Sequence, residues 1–497
     1  MLTKRLHGLT AILAAVIVAG ACGTATTTPS GTAGTHSPSA SHSPAATYSP
    51  SPTDSAAPTS SPSPSDAPSP SATGALAGFD VAMGRAPLLA PAADFGTLAG
   101  TEIDDFGLDL LRRLDSNGNL CASPTSIALA LAMVRAGARG TTATEMDKVM
   151  HGLGSHGQES EIVALIKSLE SQTSYDDSGW SSNDPKATPD HTSQQPAVEL
   201  DVSNAVFSQK GMSLEQTYLD ALSSGFGAGV GLLDYKTNPE AARLAINQWA
   251  SDRTKGRIPE VLQPGDIDGL TRIVLANAIY LKAGWTLPFD PAATKSVPFT
   301  RADGSKVSVP TMAFDRQLWY SSGNGYRAVE LALGGYESMS MMIVVPNDMG
   351  TFVGGLTAAK LADIRAHGGY YDVDLTLPRF SAESRVDLKD VLKAMGMPTL
   401  FDKTKADLTG ITQDAQDGKL YISKVIHQAN IDVVEEGTTA SAVTVAIGRA
   451  TGGGGPAPTP PPHVQFHVNK PFLYFLREQT TGAVLFMGRI ADPSVKN

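Results

Sequence analysis

The sequence predicts one mixed α+β domain that follows a long disordered leader. Strand-like and helical runs are intermixed from about residue 95 onward, without the regular alternation of a doubly wound fold. The chain has 497 residues, of which 41% are hydrophobic, so it can fill a sizeable core. By contrast, the first 78 residues contain no segment with the composition of a packed domain.

The individual elements follow from the spacing of apolar residues. This spacing predicts helices at 101–114, 126–136, 239–253 and 385–395. A capping box, Thr142-x-x-Glu145, predicts one more helix after the second of these. Strand-like runs are found at 198–208, 272–281, 339–346, 370–377 and 420–434. Residues 171–196 are rich in Ser, Asp, Gln and Pro and are expected to form an inserted surface loop.

The N-terminus has the pattern of a secretory signal peptide over residues 1–21. Two basic residues precede an apolar run at 9–18, and Ala19-Gly-Ala21 is a small-residue cleavage site. The apolar run is too short to span a bilayer. Cys22 follows at once, as in bacterial lipoproteins, where this cysteine is lipidated. Ordinary cleavage after Ala21 would instead release a soluble protein, and both outcomes fit the residues.

A low-complexity tether follows, and we assign residues 22–78 to it. From Gly23 to Thr73 the chain is nearly all Ser, Thr, Pro, Ala and Gly, with no Lys or Arg. Such a segment cannot bury enough apolar surface to fold, and its prolines keep it extended. A tether suits a protein anchored through Cys22 to the outer face of the cytoplasmic membrane. A merely disordered leader would have the same flexibility.

Charge, cysteine content and motifs exclude several classes of function. The net charge of −11 argues against a nucleic-acid partner. The only cysteine besides Cys22 is Cys121, so no disulfide forms within the domain, and we expect Cys121 to be a buried structural thiol. No Gly-x-Ser-x-Gly or Ser-x-x-Lys nucleophile motif occurs. His463 and His467 lie after a proline run, without a metal-binding motif. We therefore expect no catalytic residue, metal or cofactor.

The most informative stretch of the chain is 435–448. After Glu435, Glu436 and Gly437 it contains no charge and no proline, so it could pair along both edges. Its alternate residues share one face of a strand, and all are small: Thr438, Ala440, Ala442, Thr444 and Ala446. A loop rich in Gly and Pro follows, up to residue 462. An ordinary edge strand is one interpretation, and a central strand held out of its sheet is the other.

Neighbouring sequence favours the second interpretation. Residues 420–438 resemble the strand and hinge that precede the reactive loop of serpins. Further blocks are similar to serpin motifs and occur in the family's order, namely 246–258, 275–285, Leu377-Pro-Arg-Phe380, 387–392, 406–411 and Phe486-Met-Gly-Arg489. The resemblance covers roughly 95–493, and we place the domain at 95–497. It implies the serpin fold, with three β-sheets, about eight or nine helices and an exposed reactive loop at 437–462.

The resemblance also implies a function and a set of site residues. Serpins inhibit serine proteases as suicide substrates, because the cleaved loop inserts into the main sheet. Here the implied hinge is Glu435, Glu436, Gly437, Thr438, Ala440 and Ala442. The implied breach at the top of the sheet contains Trp285, as packing, and Arg379, as the partner of Glu435. The implied shutter beneath the sheet contains Ser123, Ser126, Asn277 and His427. None of these residues is catalytic.

The bond that a protease would cleave has alternatives. The resemblance implies the fourteen residues usual in serpins between Gly437 and the bond, which places the bond between Thr451 and Gly452. By contrast, Arg449-Ala450 would suit a trypsin-like protease. Ile447-Gly448 is a third candidate. The expected partner is a serine protease, and the expected state is a monomer. Two other functions stay open: a non-inhibitory serpin that acts as a binding or carrier module on the cell surface, and an envelope enzyme without a familiar motif.

Overall fold

The computed structural model describes residues 76–114, 118–172, 196–334, 338–413, 420–437 and 461–495, and it describes residues 11–21, 174–175, 196, 197, 204 and 277 by their main chain only. Its strands are β1 Ala11–Ala21, β2 Asp80–Ala82, β3 Leu120–Ala122, β4 Ser174–Tyr175, β5 Pro196–Gln209, β6 Val230–Leu233, β7 Thr271–Ala283, β8 Lys295–Thr300, β9 Lys306–Gly323, β10 Tyr326–Leu333, β11 Met339–Pro346, β12 Gly369–Pro378, β13 Phe380–Asp387, β14 Leu420–Val433, β15 His463–His467, β16 Phe472–Glu478 and β17 Val484–Ile490.

Nine α-helices lie within the described residues, in agreement with the predicted number. They are α1 Thr97–Leu111, α2 Pro124–Gly137, α3 Gly140–Val149, α4 Glu159–Ser171, α5 Gln216–Phe226, α6 Pro239–Arg253, α7 Met349–Gly354, α8 Ala358–Ala366 and α9 Lys389–Met395.

The strands form two hydrogen-bonded sheets. The first has the order β13-β14-β1-β7-β5-β6-β2, with β4 beside β5. The second has the order β15-β12-β9-β10-β11-β16-β17-β3, with β8 beside β9. Because β9 pairs with β12 along 311–320 and with β10 along 319–323, two of the three predicted sheets join through this long strand. The predicted mixed α+β architecture is confirmed.

Helix α2 lies at the centre of the molecule. It packs against β7 of the first sheet and β17 of the second, and all its residues except Arg135 and Ala136 are buried. A helix that is apolar around its whole circumference belongs inside a core. Its start is fixed by Pro124 in the first turn and by Ser123, whose side chain accepts a hydrogen bond from the Ser126 amide.

The centre of the first sheet contains an extra strand from the leader. Strand β1 runs antiparallel to β14, from Ile12 opposite Asn430 to Ala21 opposite Leu420. It also runs antiparallel to β7, from Ala11 opposite Leu281. In the chain that still carries residues 1–21, the space between β7 and β14 is therefore occupied. The prediction that these residues form a cleaved signal peptide stays a prediction.

Several predicted boundaries differ from the structure. The capping box is wrong, because α3 already begins at Gly140 and both side chains bind elsewhere. Thr142 Oγ1 accepts from the Asp407 amide, and Glu145 accepts from the Thr399 amide and hydroxyl. The helix predicted at 385–395 begins at 389, because the first residues belong to β13.

The folded region also begins earlier than residue 95. Leu76 is buried in a second apolar cluster that includes Phe207, and β2 pairs with β6. Residues 76–78, which we assigned to the tether, therefore belong to the domain. Most of the tether and of the predicted inserted loop lies outside the described residues.

Candidate functional site

The end of β14 is a tight turn formed by residues 434–437. The Gly437 amide donates to the Val434 carbonyl at 3.2 Å, and Gly437 forms a further antiparallel bridge with Gly284. Its φ of +106° lies in the region that favours glycine, and a Cβ there would meet the Trp285 nitrogen at 2.3 Å. The sequence therefore needs glycine at the point where the chain leaves the sheet.

Glu435 is the buried centre of this turn, with 1% of its surface exposed. Arg379 approaches its Oε1 twice, with Nη2 at 2.6 Å and Nε at 2.8 Å. The Thr294 hydroxyl donates to the same oxygen, and the Phe289 amide donates to the Glu435 carbonyl at 3.0 Å. The structure thus brings together the two residues proposed to pair at the hinge.

Trp285, which lies just after the end of β7, holds the same turn. Its indole Nε1 donates to the Val434 carbonyl at 2.9 Å, and its amide donates to the Glu436 carbonyl at 3.2 Å. The ring is 3% exposed and meets Phe289 edge-on, with ring centroids 6.2 Å apart. Besides the packing role predicted for it, Trp285 therefore makes two hydrogen bonds to the hinge.

Three of the four predicted shutter residues meet beneath the first sheet. The Ser123 amide donates to His427 Nε2 at 3.2 Å, and the Ser126 amide donates to the Ser123 hydroxyl at 3.2 Å. All three are buried, and burial lowers the pKa of His427 to about 3, so the ring is neutral. The Asn277 main chain lies in β7 opposite Asn204, and its side chain is outside the described residues.

The remaining predicted site residues lie outside the described residues. They are Thr438, Ala440 and Ala442 of the hinge, Arg449, Ala450, Thr451 and Gly452 at the candidate bonds, and Cys22. The described part of the reactive loop ends at Gly437 and resumes at residue 461. The position at which the loop leaves the sheet is known, and its path is not described.

Residues that could have indicated another chemistry lack the necessary surroundings. Cys121 is fully buried in β3, and burial raises the pKa of its thiol to about 12. His463 and His467 lie at the two ends of the short strand β15. Among the described residues no cluster of three or more potential metal ligands occurs. Within the same residues, none of the helices has the length and apolar character needed to cross a membrane.

Sequence reasoning missed two contacts of the hinge. Thr294 and Phe289 come from the segment that connects β7 to β8, far from Glu435 in the chain. Phe289 follows shortly after the family-like block 275–285, but nothing in the sequence links it to Glu435. Thr294 precedes a strand and gave no signal at all.

Comparison with known proteins gives a consistent result. The family model described as "Serpin (serine protease inhibitor)" matches residues 101–493. The chain is 32% identical over 400 residues to a leukocyte elastase inhibitor of Xenopus tropicalis, which covers 78% of this chain and 97% of that protein. The human leukocyte elastase inhibitor is also 32% identical, over 406 residues, with the same coverage. The native structure of tengpin, a thermophilic serpin, superposes with a TM-score of 0.66 at 21% identity, covering 83% of this chain and all of tengpin.

Proposed function

This chain belongs to the serpin family, and we propose that it inhibits serine endopeptidases as a suicide substrate. A protease would attack the loop after residue 437, and the cleaved strand would insert between β7 and β14. The observation that carries this proposal is the position of the hinge. The chain leaves the sheet at Gly437, which bridges to Gly284 directly after β7, at the mouth of that space.

The space between β7 and β14 is long enough for the proposed strand. In the structure it already accepts eleven residues of β1, paired antiparallel on both sides. Continuing the antiparallel bridge between Val434 and Gly437 would place Thr438 opposite Val433 and Thr451 opposite Leu420. Strand β14 has 14 residues, and the segment 438–451 would pair with its whole length. A strand of this length spans about 46 Å at roughly 3.3 Å per residue.

The same register explains the small residues of the hinge. Directly opposite residues of an antiparallel pair point to the same face. Thr438, Ala440, Ala442 and Thr444 would therefore share a face with Val433, Ile431, Ala429 and His427, respectively. These residues of β14 are at most 1% exposed, and His427 contacts Ser123 at the start of the central helix α2. A bulky or charged hinge residue would have to enter this packed layer, which favours small side chains.

Inhibition would follow from the speed of insertion. The protease serine oxygen attacks the scissile carbonyl, the amine of the next residue leaves with a proton, and an ester joins protease and loop. Insertion would then carry the esterified protease along the sheet and distort its oxyanion hole and triad. Water could no longer complete hydrolysis. The inhibitor would succeed only where insertion is faster than deacylation.

The register favours one of the candidate bonds. Cleavage between Thr451 and Gly452 would give an inserted strand that ends opposite Leu420, the first residue of β14. Cleavage at Arg449-Ala450 would leave the first two residues of β14, Leu420 and Tyr421, without a partner. Cleavage at the trypsin-like bond would therefore insert a strand that is two residues shorter. The relatives named as elastase inhibitors are consistent with a target that cleaves after a small residue.

We further propose that the protein is exported and held at the outer face of the cytoplasmic membrane through Cys22. The support is the signal-like leader, the cysteine directly after its cleavage site and the tether that follows. Mass spectrometry of the mature N-terminus should show an acylated Cys22, and Cys22→Ser should release the protein from membranes. A mature protein that begins at an unmodified Cys22 would contradict the anchor and leave the inhibitory function untouched.

The proposed function is tested with the processed chain, beginning at residue 22, mixed with an elastase-like and a trypsin-like protease. We expect a covalent complex that survives boiling in detergent, and mass spectrometry of the released peptide to identify the cleaved bond. Loop-cleaved inhibitor should also melt at a higher temperature than the uncut protein, since it gains a strand. Clean cleavage with full protease activity and no rise in melting temperature would instead support a non-inhibitory binding or carrier protein.

A further inference from the structure

A cavity of about 730 Å³ lies where the end of α1 meets α7, the turn between β8 and β9, and the last strands of the second sheet. Its floor is apolar, and the residues that form it include Leu111, Leu114, Pro346, Val353 and Ala491. The volume lies within the range of small-molecule sites, which combine an apolar lining with a few polar groups. The polar groups of this cavity therefore indicate what it would bind.

The rim of the cavity is cationic. Among the described residues, four basic side chains and one acidic side chain line it, namely Arg112, Arg301, Lys470, Arg489 and Asp348. The carboxylate of Asp348 is engaged at the start of α7, where its Oδ1 accepts from the Thr351 amide at 2.7 Å. The whole chain has a net charge of −11, so this local excess of positive charge is opposite in sign to the rest of the protein.

The fold brings these basic residues together although they lie far apart in the chain. The Thr300 amide donates to the Asn469 carbonyl at 2.8 Å, which places Arg301 beside Lys470. Arg489 lies on β17, and the partner strand β16 begins two residues after Lys470. Like charges repel one another, so cations gathered around one cavity favour the entry of an anion.

Two of the cations are held in position by carboxylates that do not line the cavity. Arg301 Nε donates to Asp492 at 2.5 Å, and the guanidinium is 30% exposed whereas the carboxylate is 18% exposed. Arg112 pairs with Asp109 and donates to the Leu356 carbonyl. Among the described residues Arg301 Nη2 has no partner, so this guanidinium retains a donor for a ligand.

Lys470 has the greatest capacity to bind an anion. Within the part of the chain that the structure describes, its half-buried side chain makes no ion pair and no hydrogen bond. A lysine ammonium carries three donors and binds phosphate as a point charge, while a guanidinium binds it through parallel hydrogen bonds. A carboxylate has a single charge, whereas a phosphate monoester carries about two at pH 7 and offers three acceptor oxygens. Several converging cations therefore favour the phosphate.

We propose that this cavity binds a phosphate monoester that carries a small apolar group. The phosphate would meet Lys470 and Arg301 at the rim, and the apolar group would cover the floor between α1 and α7. The assignment rests on the converging cations, on the unpaired ammonium and on the apolar floor. It does not depend on protease inhibition, because Glu435 and Trp285 of the hinge do not line the cavity.

The test measures the binding of phenyl phosphate to the full chain by isothermal titration calorimetry at pH 7.5. We expect a Kd tighter than about 1 mM. Phenyl sulfate has a similar shape but one negative charge, and it should bind at least about fivefold more weakly. Inorganic phosphate lacks the apolar group and should also bind at least about fivefold more weakly. Equal affinity for phenyl phosphate and either of these two ligands would overturn the proposal.

Lys470→Gln removes the unpaired ammonium without breaking an ion pair. It should weaken phenyl phosphate by about tenfold or more, because a charge-assisted hydrogen bond is lost. Lys295→Gln is the matched control, since Lys295 is exposed on β8 and does not line the cavity. It removes the same charge and should change the affinity by less than about twofold, because salt screens distant exposed charges. Equal weakening in the two variants would contradict a site at this cavity.

A second variant tests the cavity without changing its charge. Gly354 lines the cavity at the end of α7, its φ lies outside the left-handed region, and an added Cβ would meet no atom within 4 Å. Gly354→Phe should therefore fold, fill the cavity and abolish the binding of phenyl phosphate. Gly355→Phe is the control, since its Cβ would make only ordinary contacts, the nearest at 3.6 Å, and Gly355 does not line the cavity. Unchanged affinity in Gly354→Phe, or no binding by the unmodified protein, would overturn the proposal.

Discussion

Arg379 and Glu435 form an ion pair at the exit of the reactive loop, with Nη2 2.6 Å from Oε1. The two partners are unequal, because the guanidinium is 42% exposed while the carboxylate is 2% exposed. A buried carboxylate needs its partners more than an exposed cation does. The pair therefore fixes Glu435, and through it the direction in which the chain leaves β14.

Removing the cation should destabilise the protein measurably. Arg379→Gln leaves the buried Glu435 with the Thr294 hydroxyl as its remaining side-chain partner. We expect the free energy of unfolding to fall by about 1–3 kcal/mol, below the range for a fully buried pair because Arg379 is partly solvated. Urea denaturation followed by circular dichroism measures this change.

Arg385→Gln is the matched control. Arg385 also makes a 2.6 Å ion pair from the strand next to β14, with Asp266, but Asp266 keeps Lys424 at 3.0 Å when Arg385 is lost. Arg385→Gln should therefore lower the free energy of unfolding by less than about 1 kcal/mol. Equal losses in the two variants would contradict a special role for the pair at the hinge.

Gly437→Ala should damage the hinge through both backbone strain and a collision. The positive φ disfavours any side chain, and the new Cβ would press on the Trp285 nitrogen. We expect a loss of about 1–3 kcal/mol and a lower yield of covalent complex with the target protease. Gly304→Ala isolates the strain, since its φ is +83° and no atom lies within 4 Å of the added Cβ. Gly304→Ala should cost about 1 kcal/mol and leave complex formation unchanged. The interpretation is wrong if the two variants behave alike.

Regular elements of the fold could be predicted because their pattern is local. Helix α6 matches the predicted 239–253 and strand β11 matches the predicted 339–346, and each is periodic or apolar along its whole length. The capping box failed for the opposite reason. Thr142 and Glu145 have the right spacing, but their side chains bind Asp407 and Thr399, which the fold brings from far along the chain.

In the candidate site too, residues that belong to a sequence motif could be predicted, and contacts made only by the fold could not. Family-like motifs pointed to Arg379, Glu435 and Trp285, and these residues meet at the hinge. The partners Thr294 and Phe289 could not be predicted, because no spacing links them to Glu435. A cavity lined by residues between Trp285 and Gln479 could not be predicted, since these residues lie far apart in the chain. Such a cavity exists only after the sheets have packed.

The proposed insertion register predicts opposite outcomes for two adjacent substitutions. Thr438 would lie opposite Val433 on the core face, so Thr438→Arg would bury an unpaired charge. We expect the variant to fold but to be cleaved as a substrate, with the trapped fraction of protease reduced by more than about tenfold. Densitometry of the detergent-stable complex measures this fraction.

Thr439→Arg is the control for that experiment. In the same register Thr439 would lie opposite Asp432, on the other face, where an arginine meets an opposite charge. It should trap protease nearly as well as the unmodified chain. A loss of inhibition in both variants would show that any arginine in the hinge is harmful and would remove support for the register.

The position of β1 predicts that the leader must be removed before inhibition is possible. In the full chain, Ala11–Ala21 pairs with both β7 and β14, where the cleaved loop would insert. We expect the full chain to melt at a higher temperature than the chain that begins at residue 22 and to trap no protease. Val16→Pro in the full chain should restore trapping, because proline cannot donate to the ladder of a central strand. Identical melting and trapping by the full and shortened chains would refute the prediction.

His427 should make stability depend on pH in a defined window. Burial lowers its pKa to about 3 in the folded protein, against about 6.5 in the unfolded chain. Between these values only the unfolded chain binds the proton, so the contribution of neutral His427 is complete above pH 6.5 and is lost as the pH falls. At pH 5 the loss should reach about 2 kcal/mol, at roughly 1.4 kcal/mol for each pH unit. Asp104 has the opposite effect on the free energy of unfolding. Burial raises its pKa to about 6, so the folded protein binds this proton more readily than the unfolded chain and gains stability as the pH falls.

His427→Gln separates the two groups, because Asp104 is present in both proteins and cancels in their difference. The variant lacks the titrating ring. Between pH 7.5 and pH 5, its free energy of unfolding should therefore decrease by about 2 kcal/mol less than that of the unmodified protein. Urea denaturation at the two pH values gives this difference even if the variant is less stable at both. An equal decrease in the two proteins would mean that the ring is protonated in the folded state. In that case the contact between Ser123 and His427 Nε2 could not be a hydrogen bond accepted by a neutral imidazole.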